Sequence, residues 1–209
     1  FVGKVAGDNL EVVNSGITAA FNNKNVGDTK PITLSGIALS GDDARNYVVA
    51  ASLATANITP KEVTLSASKV YDGSTSLAGY VTVTTGIGSE TLTYTGATSD
   101  DANVATTAKY ISAITLVDGS NGGVATNYKL PELNNANAPV TITVKTLTPT
   151  ISNTGVTKVY DGTTAAIFTP TYSFVGLVAG DSSAILTNTG KVYNNAHVVG
   201  ANIITVSGL

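Results

Sequence analysis

The chain has 209 residues, a formal net charge of −3, only 12% charged residues, and no Cys, Met or Trp. Without cysteine it can build neither a disulfide framework nor a thiolate metal site, so its stability has to come from hydrophobic cores. A single arginine, Arg45, and an acidic balance give phosphate little to bind, which argues against a nucleic-acid partner.

The missing methionine leads to the expectation that this sequence is an internal piece of a longer protein. Lys4 has no apolar run behind it of the length a signal peptide needs. The longest weakly polar run, Val48 to Ala56, is too short to span a bilayer and contains Ser52 and Thr55, so no membrane insertion is expected here. The charged fraction is about half that of an ordinary soluble domain. Thr, Ser, Asn and Gly must cover the surface instead, a composition that accompanies long-lived extracellular β proteins.

In chain order, the sequence opens on the glycine-punctuated segment Phe1-Val2-Gly3-Lys4-Val5-Ala6-Gly7-Asp8 and reaches an Asn-rich corner at Asn22, Asn23 and Asn25. Ile32-Thr33-Leu34-Ser35-Gly36, Asn46-Tyr47 and Ile58-Thr59-Pro60 follow. Strands are predicted at Val63-Thr64-Leu65, Gly79 to Thr84, Leu92-Thr93-Tyr94, Val140 to Val144 and Ile204-Thr205-Val206. Apolar residues alternate there with Thr, the period of a half-buried strand, and β-branched residues dominate. Turn chemistry punctuates these runs at Asp118-Gly119 and Asn121-Gly122-Gly123. No stripe of helical period is long enough to call for a helix. Asn188 to Ala201 is the least strand-like stretch and the place where a short helix would fall.

Self-similarity organises these elements. Lys69-Val70-Tyr71-Asp72-Gly73-Ser74-Thr75 returns as Lys158-Val159-Tyr160-Asp161-Gly162-Thr163-Thr164, 89 residues on. The Phe1 to Asp8 segment returns as Phe174 to Asp181 after 173 residues, two periods of about 86. Asn46-Tyr47 returns as Asn127-Tyr128, and Ile58-Thr59-Pro60 is echoed by Ile142-Thr143-Val144. The frame predicts a complete unit at residues 61–144, an incomplete unit at 1–60 that lacks its opening part, and an incomplete unit at 145–209 that lacks its closing part. Several short strands per unit of about 85 residues predict an all-β fold of tandem small sandwiches of the immunoglobulin-like kind. A β-grasp-like module with one short helix is the alternative. Pro60 and Pro149 sit close after the junctions, where they end a ladder and stiffen the entry to the next unit.

The ordered set Val-Tyr-Asp-Gly-(Ser/Thr)-Thr, Phe-Val-Gly-x-Val-Ala-Gly-Asp, Asn-Tyr and Ile-Thr-Pro resembles the YDG/MBG repeats of large bacterial adhesins, the filamentous-haemagglutinin-like proteins secreted by a two-partner route. The resemblance covers essentially the whole chain. It implies a secreted or cell-surface stalk, partnered by neighbouring repeats of the same chain, that carries a binding region away from the cell in adhesion and biofilm formation. Two places depart from the pattern: Ile87-Gly88-Ser89-Glu90 stands for the Gly-Asp segment, and Val144 stands where the earlier junction has Pro60.

The motifs read as structure rather than chemistry. In Tyr71-Asp72-Gly73 and Tyr160-Asp161-Gly162 the glycine supplies a positive φ, the aspartate bonds its own following backbone, and the tyrosine anchors the turn on the core. The tyrosines of Asn46-Tyr47 and Asn127-Tyr128 read as half-buried anchors whose hydroxyls need a partner. No catalytic residues and no cofactor are expected. The single histidine, His197, replaces Asn25 at the Asn-rich corner, and no nucleophile elbow or histidine cluster accompanies it. Calcium is the sharper alternative, with Asp42-Asp43, Asp100-Asp101 and the pair Asp72 and Asp161 as candidate ligands, but no EF-hand-type loop gathers them. A second functional reading has the loops of each unit bind an extracellular glycan or matrix ligand.

Overall fold

The structure, a computed structural model, describes residues 2–50, 53–181 and 186–208. Phe1 and Ser52, which belong to runs named above, lie outside the described residues. The protein is all-β: sixteen strands and three short 3₁₀ turns, with no α-helix among the described residues.

In the first segment β1 (Glu11–Val13) pairs antiparallel with β4 (Ala38–Ser40). β2 (Thr18–Phe21), β3 (Gly27–Ser35) and β5 (Leu53–Ile58) form a three-stranded antiparallel sheet with β3 in the middle. The last segment holds two antiparallel pairs, β13 (Thr148–Ile151) with β14 (Tyr172–Val175) and β15 (Gly190–Tyr193) with β16 (Ile204–Ser207). The short helix envisaged between Asn188 and Ala201 is absent among the described residues. Val192 and Tyr193 pair instead with Thr205 and Ile204, so cross-strand pairing of β-branched and aromatic residues overrides the turn-rich composition.

The apolar core lies in the central segment. β6 (Lys61–Glu62), β7 (Thr64–Val70), β8 (Val81–Thr84), β9 (Leu92–Ser99), β10 (Ile111–Asp118), β11 (Tyr128–Lys129) and β12 (Val140–Thr143) follow one another there. Apart from Leu10 and Ala166, all the described apolar side chains that are buried fall between Val63 and Ile142. The sheet β12-β7-β8 sends Leu65, Ala67, Val140 and Ile142 inward. The pair β9-β10 meets them with Leu92, Ala97, Ile111 and Ile114, and Leu77 fills the space from a loop. Leu65, Leu77 and Ile111 are fully buried, each worth about 1.5–3 kcal/mol relative to exposure.

Two pairings are parallel: β12 runs beside β7 with Val140 opposite Ala67, and β11 runs beside β6 with Tyr128 opposite Lys61. A parallel pair needs a long crossover, and here β8, β9 and β10 supply it without a helix. The opening and closing strands of the unit therefore lie side by side. Gly79 and Tyr80, expected at the start of a strand, form a turn before β8, and Gly79 has φ +82°. Tyr94 explains that turn: its hydroxyl donates to the Leu77 carbonyl at 3.1 Å and accepts the Val81 N–H at 2.9 Å.

Candidate functional site

The Tyr-Asp-Gly motif is built around a lysine that the alternation of β7 turns inward. Leu65, Ala67 and Lys69 occupy successive inward positions, and the Lys69 side chain is 0% exposed. Its ammonium donates to Asp72 Oδ1 at 2.7 Å, the Ser74 carbonyl at 2.6 Å and the Ser76 carbonyl at 2.9 Å. An ammonium has three protons, and each has an acceptor. Asp72 Oδ1 also accepts the Ser74 N–H at 2.9 Å, and Gly73 sits at φ +76°, which turns the chain back over the charge. The second copy repeats the device. Lys158 reaches Asp161 Oδ1 at 2.7 Å and the Thr163 carbonyl at 2.7 Å, Thr163 N–H returns to Asp161 at 2.9 Å, and Gly162 has φ +74°. The ammonium of Lys69 holds the Asp72 carboxyl below its ordinary value, and that of Lys158 holds Asp161 at about 2. Neither ammonium has an asparagine side chain among its hydrogen-bond partners.

Asn46-Tyr47 and Asn127-Tyr128 each close a 3₁₀ turn, Ala44–Asn46 and Ala125–Asn127, with the tyrosine extended at φ −129° in both. Each tyrosine hydroxyl finds a carboxylate in the glycine-rich segment of its own unit. Tyr47 donates to Asp8, and buried Tyr128 donates to Glu90 at 2.6 Å. The hydrogen bond to Asp8 raises the Tyr47 hydroxyl; burial, then the bond to Glu90, raises that of Tyr128. Glu90, the residue that departed from the Gly-Asp pattern, thus does the work of Asp8 with a longer side chain.

The Asn-rich corners share a third device. Asn25, Asn103 and His197 each donate their N–H to the side chain two residues back, Asn23, Asp101 and Asn195. In the first two corners a buried lysine then fills the loop: Lys30 bonds Asn23 at 2.6 Å and the Asn25 carbonyl, and Lys109 bonds the carbonyls of Val104 and Thr106. Sequence reasoning named the first and last of these corners and gave no role to Lys30 or Lys109. The available signal was a lysine on the inward beat of a strand or beside a loop of bare carbonyls.

Of the candidate calcium ligands, all but Asp42 are committed to turns. Asp43 accepts Asn9 N–H at 2.8 Å, Asp100 accepts Tyr110 N–H at 2.9 Å, and Asp72 and Asp161 hold their lysines. Among the described residues, no three acidic or histidine side chains converge as a metal site would require.

The same faces meet at both junctions between units. At the first, Lys24 pairs with Glu90, Val26 N–H donates to Asn127 Oδ1 at 2.9 Å, and Asn127 Nδ2 reaches Asn25 Oδ1 at 3.0 Å. At the second, the Tyr71 hydroxyl donates to Asp181 at 3.2 Å, and Val104, Leu177 and Val178 line one apolar groove with it. Val178 packs on the Tyr-Asp-Gly turn so closely that a Cβ on Gly73 would stand 2.7 Å from its Cγ1. In each case the corner of one unit receives the carboxylate segment of the next.

A tandem array of all-β units, each held by its own lysine-capped turn, is the class of protein this arrangement defines. The YDG domain family matches the chain three times, over residues 1–56, 54–137 and 143–209, and the chain belongs to that family. No curated protein and no solved structure matches it.

Proposed function

We propose that this chain is a stretch of the stalk of a bacterial cell-surface adhesin, without catalytic activity, in which consecutive YDG units hold a distal binding region away from the cell. The observation that supports this reading is how the repeated polar residues are used. Lys69, Asp72, Lys158 and Asp161 hold turns, while Asn127, Glu90 and Tyr71 join one unit to the next. Residues spent on internal geometry and on unit-to-unit contact serve length and stiffness. The uncharged, hydroxyl-rich composition fits a secreted or surface location.

Two measurements test the reading together. Small-angle scattering of the isolated chain is expected to give an elongated particle of limited flexibility, and a glycan and matrix-protein array is expected to give no reproducible ligand. A compact particle defeats the stalk. A reproducible ligand lost on changing loop residues such as Tyr160 transfers the function to the loops themselves.

A further inference from the structure

The central unit is entered and left on strands that lie side by side and run the same way. The chain arrives from β5 through Thr59 and Pro60 and passes into β6 and β7, and it leaves β12 for β13 through Val144 to Leu147. Tension along the chain therefore enters at the leading end of β7 and exits at the trailing end of β12. In a parallel pair these are opposite ends of the ladder. Such a pull slides one strand along the other and loads every bond between them at once. A hairpin pulled by its two free ends opens one bond at a time instead.

The ladder is fixed on all sides. β12 lies beside β7 from Val140 opposite Ala67 to Thr143 opposite Val70. Bonds close it at both ends: Ala67 N–H donates to the Pro139 carbonyl at 3.0 Å, and Tyr71 N–H donates to the Thr143 carbonyl at 2.9 Å. β6 and β11 add a second parallel step nearer the entry, where Val63 N–H donates to the Lys129 carbonyl at 3.1 Å. β8 holds the other edge of β7 from Thr64 to Ala67. Across β12, Val140 N–H donates to the Lys109 carbonyl at 3.0 Å, and the Ala138 carbonyl accepts Ile111 N–H at 2.9 Å. Leu65, Ala67, Val140 and Ile142 are buried, which keeps water from one face of the ladder.

The lysine-capped turn adds an anchor behind β7. Ser99 N–H donates to the Thr75 carbonyl at 2.8 Å and Leu77 N–H to the Ala97 carbonyl at 2.9 Å, so β9 holds the turn in place. Any slip of β7 toward its leading end has to pull the Lys69 ammonium away from Asp72, Ser74 and Ser76. Those bonds are charge-assisted and buried on the lysine side.

We propose that β7 and β12, with β6 and β11 beside the entry, form a mechanical clamp that keeps the unit folded under tension along the chain. The inference rests on reading the chain as a stalk, since a stalk carries load between its held end and its bound end. Resistance of this kind is set by the rate at which the folded unit opens rather than by its equilibrium stability.

The test is single-molecule pulling of the whole chain in two directions. The sequence has no cysteine, so pairs of introduced cysteines give unique handles. Glu62→Cys with Val144→Cys pulls the ladder in shear. Glu62→Cys with Asn137→Cys pulls at the shared leading end of β7 and β12 and peels them apart. All three positions are exposed, and the two proteins differ in one handle only. At the same loading rate, shear is expected to need a several-fold higher force than peeling, each rupture releasing the chain between its handles. A melting temperature shared by the two proteins excludes a stability difference as the cause. Equal forces in the two directions, or a higher force for peeling, overturn the clamp. Equal forces in a particle that scattering shows to be elongated leave the stalk standing and remove the clamp alone. A several-fold ratio in a compact particle keeps the clamp and removes the stalk.

Discussion

Lys69 and Asp72 stand three residues apart with the ammonium fully buried and 2.7 Å from a carboxylate that is 42% exposed. The charge enters the core on the inward beat of β7, and the turn that follows folds back to satisfy it. Removing the ammonium while keeping the stem isolates the effect, because the packing of the aliphatic chain is retained. Lys69→Met strands the carbonyls of Ser74 and Ser76 and releases Asp72, so we expect a loss of about 2–3 kcal/mol, the range for charge-assisted hydrogen bonds lost at a buried site. Lys158→Met should cost less, since that side chain keeps some access to water. Urea titrations followed by amide exchange, unit by unit, measure both; equal losses would refute the role of burial.

Acid should act through the same pairs. A carboxyl whose pKa is lower in the folded chain than in the unfolded one contributes its full stabilisation above the unfolded value and loses it as pH falls through the folded value. Asp161 lies at about 2 against an ordinary 3.8, and Asp72 is lowered in the same direction by Lys69. Stability is therefore expected to be level from neutral pH to about 4 and to decline from there toward about 2. Asp72→Asn should lower stability at neutral pH and flatten the decline in the central unit. A variant that keeps the full acid slope shows that other carboxylates carry it, with Glu90, held down first by Lys24 and then by Tyr128, the next to examine.

Much of this was legible in the residues, and the boundary has physical causes. β7, β8, β9 and β12 overlap runs in which Val, Ile and Leu alternate with Thr, a local signal that the pleat obeys directly, whereas β6, β10 and β11 were not predicted. The glycines of both Tyr-Asp-Gly turns sit at positive φ, as turn chemistry requires. The acceptors of Lys69 were not legible, because Asp72 and the carbonyls of Ser74 and Ser76 reach its ammonium only once the turn that follows has folded back. The bond from Tyr128 to Glu90 and the parallel register of β12 on β7 join residues far apart in sequence, and nothing local encodes such pairings. The helix envisaged after Asn188 gave way to β15 because Ile204 to Ser207 supply a partner strand, which composition alone cannot reveal.

The two glycines of the motif separate turn strain from junction packing. Gly73→Val and Gly162→Val both force a β-branched residue into the left-handed region, at about 1–3 kcal/mol. Only at Gly73 does the new side chain also meet Val178 of the next unit. We expect Gly73→Val to raise amide exchange across residues 176–181 as well as in its own turn, with Gly162→Val acting in its own turn alone. Indistinguishable exchange at 176–181 in the two variants would count against Val178 as a junction contact.

Metal independence is the last expectation, and it follows from what the carboxylates already do. Calcium takes six to eight oxygens, usually several of them carboxylate. Asp43, Asp100, Asp72 and Asp161 each serve a backbone N–H or a lysine, and Asp101 is held below its ordinary value first by the N–H of Asn103. Recruiting them would break turns in exchange for ion contacts, and any ion bound to the folded chain would raise its stability by mass action. The melting temperature in EDTA is therefore expected to equal that in excess Ca²⁺. If Ca²⁺ raises it by several degrees, repeating the measurement with Asp101→Asn and with Asp43→Asn identifies the corner responsible. The corner whose variant abolishes the rise would then be a metal site, formed by rearranging the turn described here.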